Sequence, residues 1–211
     1  MVWVIRILTH LRMEYTAFFV GIFSALIQLQ TNKRKPARDA FSRHNGIVLT
    51  IFLLLPVYIN PILFPIKTPF ANEWKDGICL QTTGESCGPA CVATILRMHG
   101  IETAEEKVSR EVFCSERGSE MWMLGRYLEK NGLNVELVHC SSKPFDPPVP
   151  SLAGVGLGGK DGISHAIIIL DKTKDSFTIV DPQTGRFVWS KDKTWENYYF
   201  FGFLMHITKK R

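Results

Sequence analysis

The chain has 211 residues, 45% of them hydrophobic and 21% charged, which excludes a disordered or collagen-like polymer. Its net charge is +5, yet residues 1–66 hold seven Lys/Arg against two acids, and residues 67–211 hold 18 of each. The excess charge therefore flanks apolar N-terminal segments and reads as a topology signal, so nucleic acid is not an expected partner.

The first apolar run, Tyr15–Leu29, is long enough to span a bilayer once Gln28, Gln30 and Thr31 sit at the interface. Its rival reading is a signal peptide, but no clear small-x-small cleavage site precedes the basic stretch. Gly46–Ile66 runs 21 positions without a charge. Its Pro56 and Pro61 would break a soluble helix but are tolerated in a membrane one. Residues 1–66 are thus expected to form a membrane anchor of one or two transmembrane helices, with spans at about 15–31 and 46–66. The loop between them, residues 32–45, has five basic residues and one acid. Lys and Arg near span ends resist translocation, so this loop is expected in the cytoplasm. One crossing later, residues 67–211 are expected on the extracytoplasmic side of the cytoplasmic (inner) membrane. Arg6 and Arg12 make the N-terminal tail mildly basic as well.

Residues 67–76 read as a linker and 77–211 as a soluble domain. Cys87–His99 carries apolar residues at helical spacing and stops at Gly100. Thr103 and Glu106 form a capping box that predicts a helix to about Phe113. Ser119 predicts the cap of a third helix, Glu120–Lys130, ended by Asn131-Gly132. The pattern then changes to strands: Val135–His139, Ser151–Leu157, His165–Leu170, Ser176–Val180, Arg186–Ser190 and Phe203–Thr208. Pro182–Gly185 reads as a tight turn, Lys191–Tyr199 as room for one helical turn, and Ser141–Pro150 as a Pro-rich connector. Helices first and a mostly antiparallel sheet after predict an α+β domain.

The chemistry concentrates in GICLQTTGESCGPACVA, residues 77–93. Cys87 opens a predicted helix, where free backbone N–H groups and the helix dipole favour a thiolate. Gly88 leaves room for a substrate, and Pro89 suits a first turn. Gln81, six residues upstream, sits on the loop into that helix and can donate to a developing oxyanion. A thiolate nucleophile needs a base, and the base needs an orienting group. Of six histidines, His165 is the best placed, entering an apolar strand after the Gly-rich stretch GLGGKDG. Asp181 ends the next strand, and two adjacent antiparallel strands can bring it beside His165.

The segments CLQTTGESCGPACVATILRMHG, SHAIIIL and VDPQTG resemble the double-glycine (bacteriocin-processing) cysteine peptidase family and its stand-alone relatives, of papain-like fold. The likeness runs over roughly residues 77–181. It implies Gln81 as oxyanion donor, Cys87 as nucleophile, His165 as base and Asp181 as its orienter. The best-known members belong to exporters that carry an ATPase. Here the GxxxxGK[ST] phosphate loop is absent, so ATP is not an expected ligand.

The expected function is a membrane-anchored cysteine peptidase acting on a peptide or protein through a Cys87 acyl-thioester, with no cofactor and no metal. An amidase or an acyl or peptidyl transferase on the same fold is an alternative, as is a catalytically silent membrane-anchored binding module. Cys79, Cys91, Cys114 and Cys140 can form up to two disulfides in an oxidising compartment or stay as thiols in a reducing one. A zinc site from Cys79, Cys87 and Cys91 is a weaker reading, because their spacing lacks paired knuckles. The acidic stretch Glu102–Glu106 reads as a solvated helix start.

Overall fold

A computed structural model describes residues 58, 60–139, 146–159 and 162–210. The apolar run 15–31, the basic loop 32–45, residues 46–57 of the second run, and Cys140 lie outside the described residues. Among the described residues no helix is long and apolar enough to cross a membrane.

The domain opens with a ribbon of two short strands, β1 (Trp74–Lys75) and β2 (Ile78–Cys79). Asp76 and Gly77 join them at φ 51° and 78°. Both central residues of such a hairpin turn need positive φ, a conformation Asp and Gly tolerate. Trp74 and Lys75, which the sequence reading assigns to the linker, thus pair with the strand that leads to Cys87.

Three helices follow: α1 (Cys87–Met98), α2 (Glu105–Glu111) and α3 (Met121–Lys130). The α1 stop is local. Gly100 takes φ 78° and lets its N–H and that of Ile101 reach the carbonyls of Arg97 and Leu96 at 2.9 Å. The starts of α2 and α3 are not local. Ala104 rather than Thr103 precedes α2, and Thr103 Oγ1 is buried without a partner. The N–H of Glu106 is accepted instead by Asn72 Oδ1 at 3.1 Å, a cap supplied from 34 residues away. The expected Ser119 cap of α3 does not form either; Glu120 stands at that position without a side-chain bond.

The remaining strands are β3 (Leu133–His139), β4 (Ser151–Leu157), β5 (Ile163–Lys172), β6 (Ser176–Asp181), β7 (Gly185–Ser190) and β8 (Tyr198–Lys209). They form one antiparallel sheet in the order β3-β8-β4-β5-β6-β7. A further helix, α4 (Lys191–Asn197), links β7 to β8 and is capped by Ser190 Oγ accepting from the Lys193 N–H. Strand β8 starts five residues earlier than the pattern predicts, because its first half pairs with β4 across a bulge. Gly202, at φ 110°, lies in the bulged segment.

Both faces of the sheet are covered, which explains the unbroken run Ala166–Ile169 in β5. Ile168 joins the core beneath the helices, with Leu96, Val108, Leu124 and Leu128. Ile167 and Ile169 join a second core with Phe177, Ile179 and Tyr198, against which Trp195 of α4 packs. This is the expected α+β arrangement, helices packed on an antiparallel sheet. Next to it, residues 60–66 run along the domain. Phe64 accepts a 2.9 Å bond from the Glu116 N–H, and the Arg117 guanidinium lies 3.9 Å from its ring centroid.

Candidate active site

Cys87 is the first residue of α1 and is half-buried. The turn before it is self-bonded. Ser86 Oγ accepts from the Thr83 N–H and donates to the Thr83 carbonyl, both at 3.0 Å. Gly88 follows because nothing larger fits. A Cβ there would lie 2.8 Å from Leu124 Cδ1 and 2.9 Å from Ser119 Oγ. A cleft of about 500 Å³ opens here, lined by Cys87, Gly88, Met121, Gly154, Ser164 and His165. Glu116 and Arg117, which touch residues 64–67, line it from the other side.

His165 lies on β5 and is only 4% exposed. Its Nε2 is 3.1 Å from Asp181 Oδ1, an ion-pair distance without the alignment of a straight hydrogen bond. The Cys87 side chain lines the same cleft and is close enough to the ring to raise its pKa. With Nε2 on Asp181, the nitrogen on the opposite edge, Nδ1, is left for the thiol. Burial pushes the His165 pKa down, but Asp181 and Cys87 beside it outweigh that and lift it to about 9. Asp181 shows the mirror-image balance. Burial raises its pKa, while His165, the Gln183 N–H and the Tyr198 hydroxyl together hold it below the ordinary value.

Asp181 ends β6, and the Pro182–Gly185 turn returns to hold it. The Gln183 N–H donates to Oδ1 at 2.7 Å. The Tyr198 hydroxyl donates to Oδ2 at 3.0 Å. Gln81 is fastened to the same turn, its N–H donating to the Pro182 carbonyl at 2.9 Å. Its side-chain Nε2 donates to the Thr83 carbonyl at 2.9 Å, and its Oε1 is buried without a partner. The loop before Cys87 and the turn after Asp181 are therefore one bonded unit.

The structure thus brings Cys87, His165 and Asp181 into one line of contacts, with Gln81 on the loop bonded to the turn after Asp181. Sequence reasoning missed two residues. Tyr198 hides in the aromatic run YYFFGF, where nothing marks the strand start. Glu105 lies in the stretch expected to be solvated, yet it is 0% exposed. Its carboxylate accepts from the Thr82 N–H at 2.8 Å and from the Thr82 hydroxyl at 2.5 Å. A buried carboxylate needs such donors, and Thr82 adjoins Gln81.

Cys79, Cys87, Cys91 and Cys114 are free thiols. Burial pushes Cys79 and Cys114 up to about 12 and Cys91 well above its ordinary value, so these three stay protonated. Cys91 Sγ donates to the Ala166 carbonyl at 3.4 Å, tying α1 to the residue after His165. Among the described residues no group of three His, Cys, Asp or Glu could hold a metal ion, including the Cys79, Cys87, Cys91 set.

A cysteine at a helix start, facing a histidine–carboxylate pair from an antiparallel sheet, defines the papain-like cysteine peptidase class. Residues 75–211 match the model of the peptidase C39 family, and the chain belongs to that family of cysteine peptidases. An uncharacterised protein of Methanothermobacter marburgensis is 28% identical over 124 residues, which is 59% of this chain and 82% of that protein. Among solved structures, the peptidase domain of Streptococcus ComA, a bifunctional ABC transporter involved in a quorum-sensing pathway, superposes with a TM-score of 0.52 at 13% identity. That match covers 63% of this chain and 98% of the domain. A double-glycine motif protease from an AMS/PCAT transporter, in complex with a leader peptide, gives 0.54 at 16% identity, covering 63% and 91%. At these identities the structural likeness shows the fold.

Proposed function

We propose that this chain is a membrane-anchored cysteine peptidase that cleaves a polypeptide through a thioester on Cys87. The carrying observation is the contact line Cys87–His165–Asp181 at the cleft. Cys87 Sγ gives its proton to His165 and attacks the substrate carbonyl carbon. Asp181 holds the ring and stabilises its positive form. The Gln81 amide, with one N–H on Thr83, turns its second N–H to the oxyanion, a contribution of about 10²–10³ in kcat for such donors. His165 then protonates the leaving amine. Water attacks the thioester, with His165 as base, and releases the acid and the free thiol.

A peptide substrate is supported by the leader peptide held by the AMS/PCAT protease. The anchor is supported by the uncharged run 46–66 and the basic loop before it, which together favour a domain outside the cytoplasmic membrane. Residues 60–66, the end of that run, lie against Glu116 and Arg117 of the cleft loop, so in this reading only the part before residue 60 enters the bilayer and the cleft opens close to its surface.

The test compares protein N-termini in cells making the wild-type chain or Cys87→Ala at equal level. New N-termini confined to the wild type are expected; identical sets refute the peptidase reading. For topology, alkaline phosphatase fused after Arg211 is expected to be active, and an inactive fusion with a fluorescent cytoplasmic reporter places the domain inside.

A further inference from the structure

The reaction above gives no part to Tyr198, a buried ionisable group bonded to Asp181. Tyr198 is 4% exposed, and its hydroxyl donates to Asp181 Oδ2 at 3.0 Å. We propose that Tyr198 is a positioning residue of the peptidase, holding Asp181 so that Oδ1 faces the His165 ring. The proposal rests on Cys87, His165 and Asp181 being the working set.

The two carboxylate oxygens have separate partners. Oδ1 takes the Gln183 N–H and faces His165 Nε2; Oδ2 takes Tyr198. A carboxylate turns easily about its last torsion, and a turn here would withdraw Oδ1 from the ring. Tyr198 opposes that turn from the far oxygen. Three features fix it in place. It starts β8 directly after α4, so its backbone is anchored on both sides. Its ring stacks on Trp189 with centroids 5.7 Å apart and planes at 28°. The bulge between β8 and β4 offsets the register between Leu204 and Phe200, which sets where Tyr198 falls. Burial, then Asp181, raises the phenol pKa, so the hydroxyl stays a donor. The groups facing Asp181 are His165 from β5, Cys91 from α1, the Gln183 N–H from the turn and Tyr198 from β8.

Losing the phenol hydroxyl leaves Oδ2 buried without a donor, which favours a protonated Asp181 at higher pH. A protonated Asp181 no longer supports the charged ring, and the Cys87 thiol loses its activated partner. The experiment uses the full chain and needs no substrate. Alkylation of Cys87 by iodoacetamide is followed by peptide mass spectrometry from about pH 4 to pH 8. In Tyr198→Phe the acidic midpoint is expected to rise by roughly half to one unit. The same change in an Asp181→Asn background is expected to shift nothing, because no carboxylate remains there to be protonated. A residue that only packs would act equally in both backgrounds, and that result overturns the proposal. So does an unmoved or lowered midpoint in Tyr198→Phe.

Should that variant not fold, 3-fluorotyrosine at position 198 retains the ring and donates more strongly. It is expected to move the midpoint down, and no movement overturns the proposal. Alkylation reads the thiol–imidazole pair whether or not peptide bonds are cut. Failure here is therefore distinct from failure of the N-terminus comparison.

Discussion

Gly88→Ala sets two known effects against each other beside Cys87. Alanine in a helix gains about 0.5–1 kcal/mol over glycine. Against it, the new Cβ would sit 2.8 Å from Leu124 Cδ1, 2.9 Å from Ser119 Oγ and 3.4 Å from Leu124 Cδ2. Leu124 is 1% exposed and belongs to the core between the helices and the sheet, so its methyls have no free space to enter. Overpacking of this kind costs about 1–3 kcal/mol. The clash wins, and the net expectation is a loss of about 1 kcal/mol, with α1 pushed from α3 and Cys87 displaced from His165. Urea unfolding of the wild type, Gly88→Ala, Leu124→Ala and the double variant measures this directly. Leu124→Ala alone should cost about 2–5 kcal/mol, but it also removes the clashing methyls. The double variant should therefore lose clearly less than the two single losses combined. Additive losses, or a Gly88→Ala protein more stable than the wild type, would refute the reasoning.

Stability should fall as pH rises from about 6.5 to about 9. His165 is raised from 6.5 to about 9 in the fold, so its contribution is complete below the lower value and lost through the upper one. The span corresponds to about 3 kcal/mol. Comparing the wild type with His165→Gln isolates this contribution, and an identical pH slope in the two proteins counts against it. Asp181 works in the opposite sense. Its lowered pKa contributes stability above 3.8 that disappears as pH falls below it, and Asp181→Asn should flatten that acid limb. Glu105→Gln puts an amide N–H against the Thr82 donors and should cost about 1–3 kcal/mol, while turnover falls with the displaced Gln81 loop. Glu102, 79% exposed along its side chain, is the control, and Glu102→Gln should stay within about 0.5 kcal/mol. Equal effects from the two glutamates would remove the buried-clamp argument.

What was legible in the sequence is what local physics decides. The α1 helix announces itself through its apolar spacing and ends where Gly100 supplies a positive φ. The β6–β7 turn follows from its own residues. Cys87, Gln81, His165 and Asp181 stand out because each combines a reactive or polar group with a helix start, a loop or a strand end. Their assembly is another matter. His165 and Asp181 are 3.1 Å apart only because β5 and β6 pair in one register, with a shift between Ile169 and Asp171 that no single strand encodes. Tyr198 reaches Asp181 because β8 bulges against β4, and strand periodicity is blind to a bulge. The α2 cap went to Asn72 rather than Thr103, since a remote oxygen serves an N–H group as well as a near one. Glu105 turned inward for the same reason. A carboxylate prefers water in the unfolded chain, and only the donors gathered by the fold at Thr82 make burial tolerable.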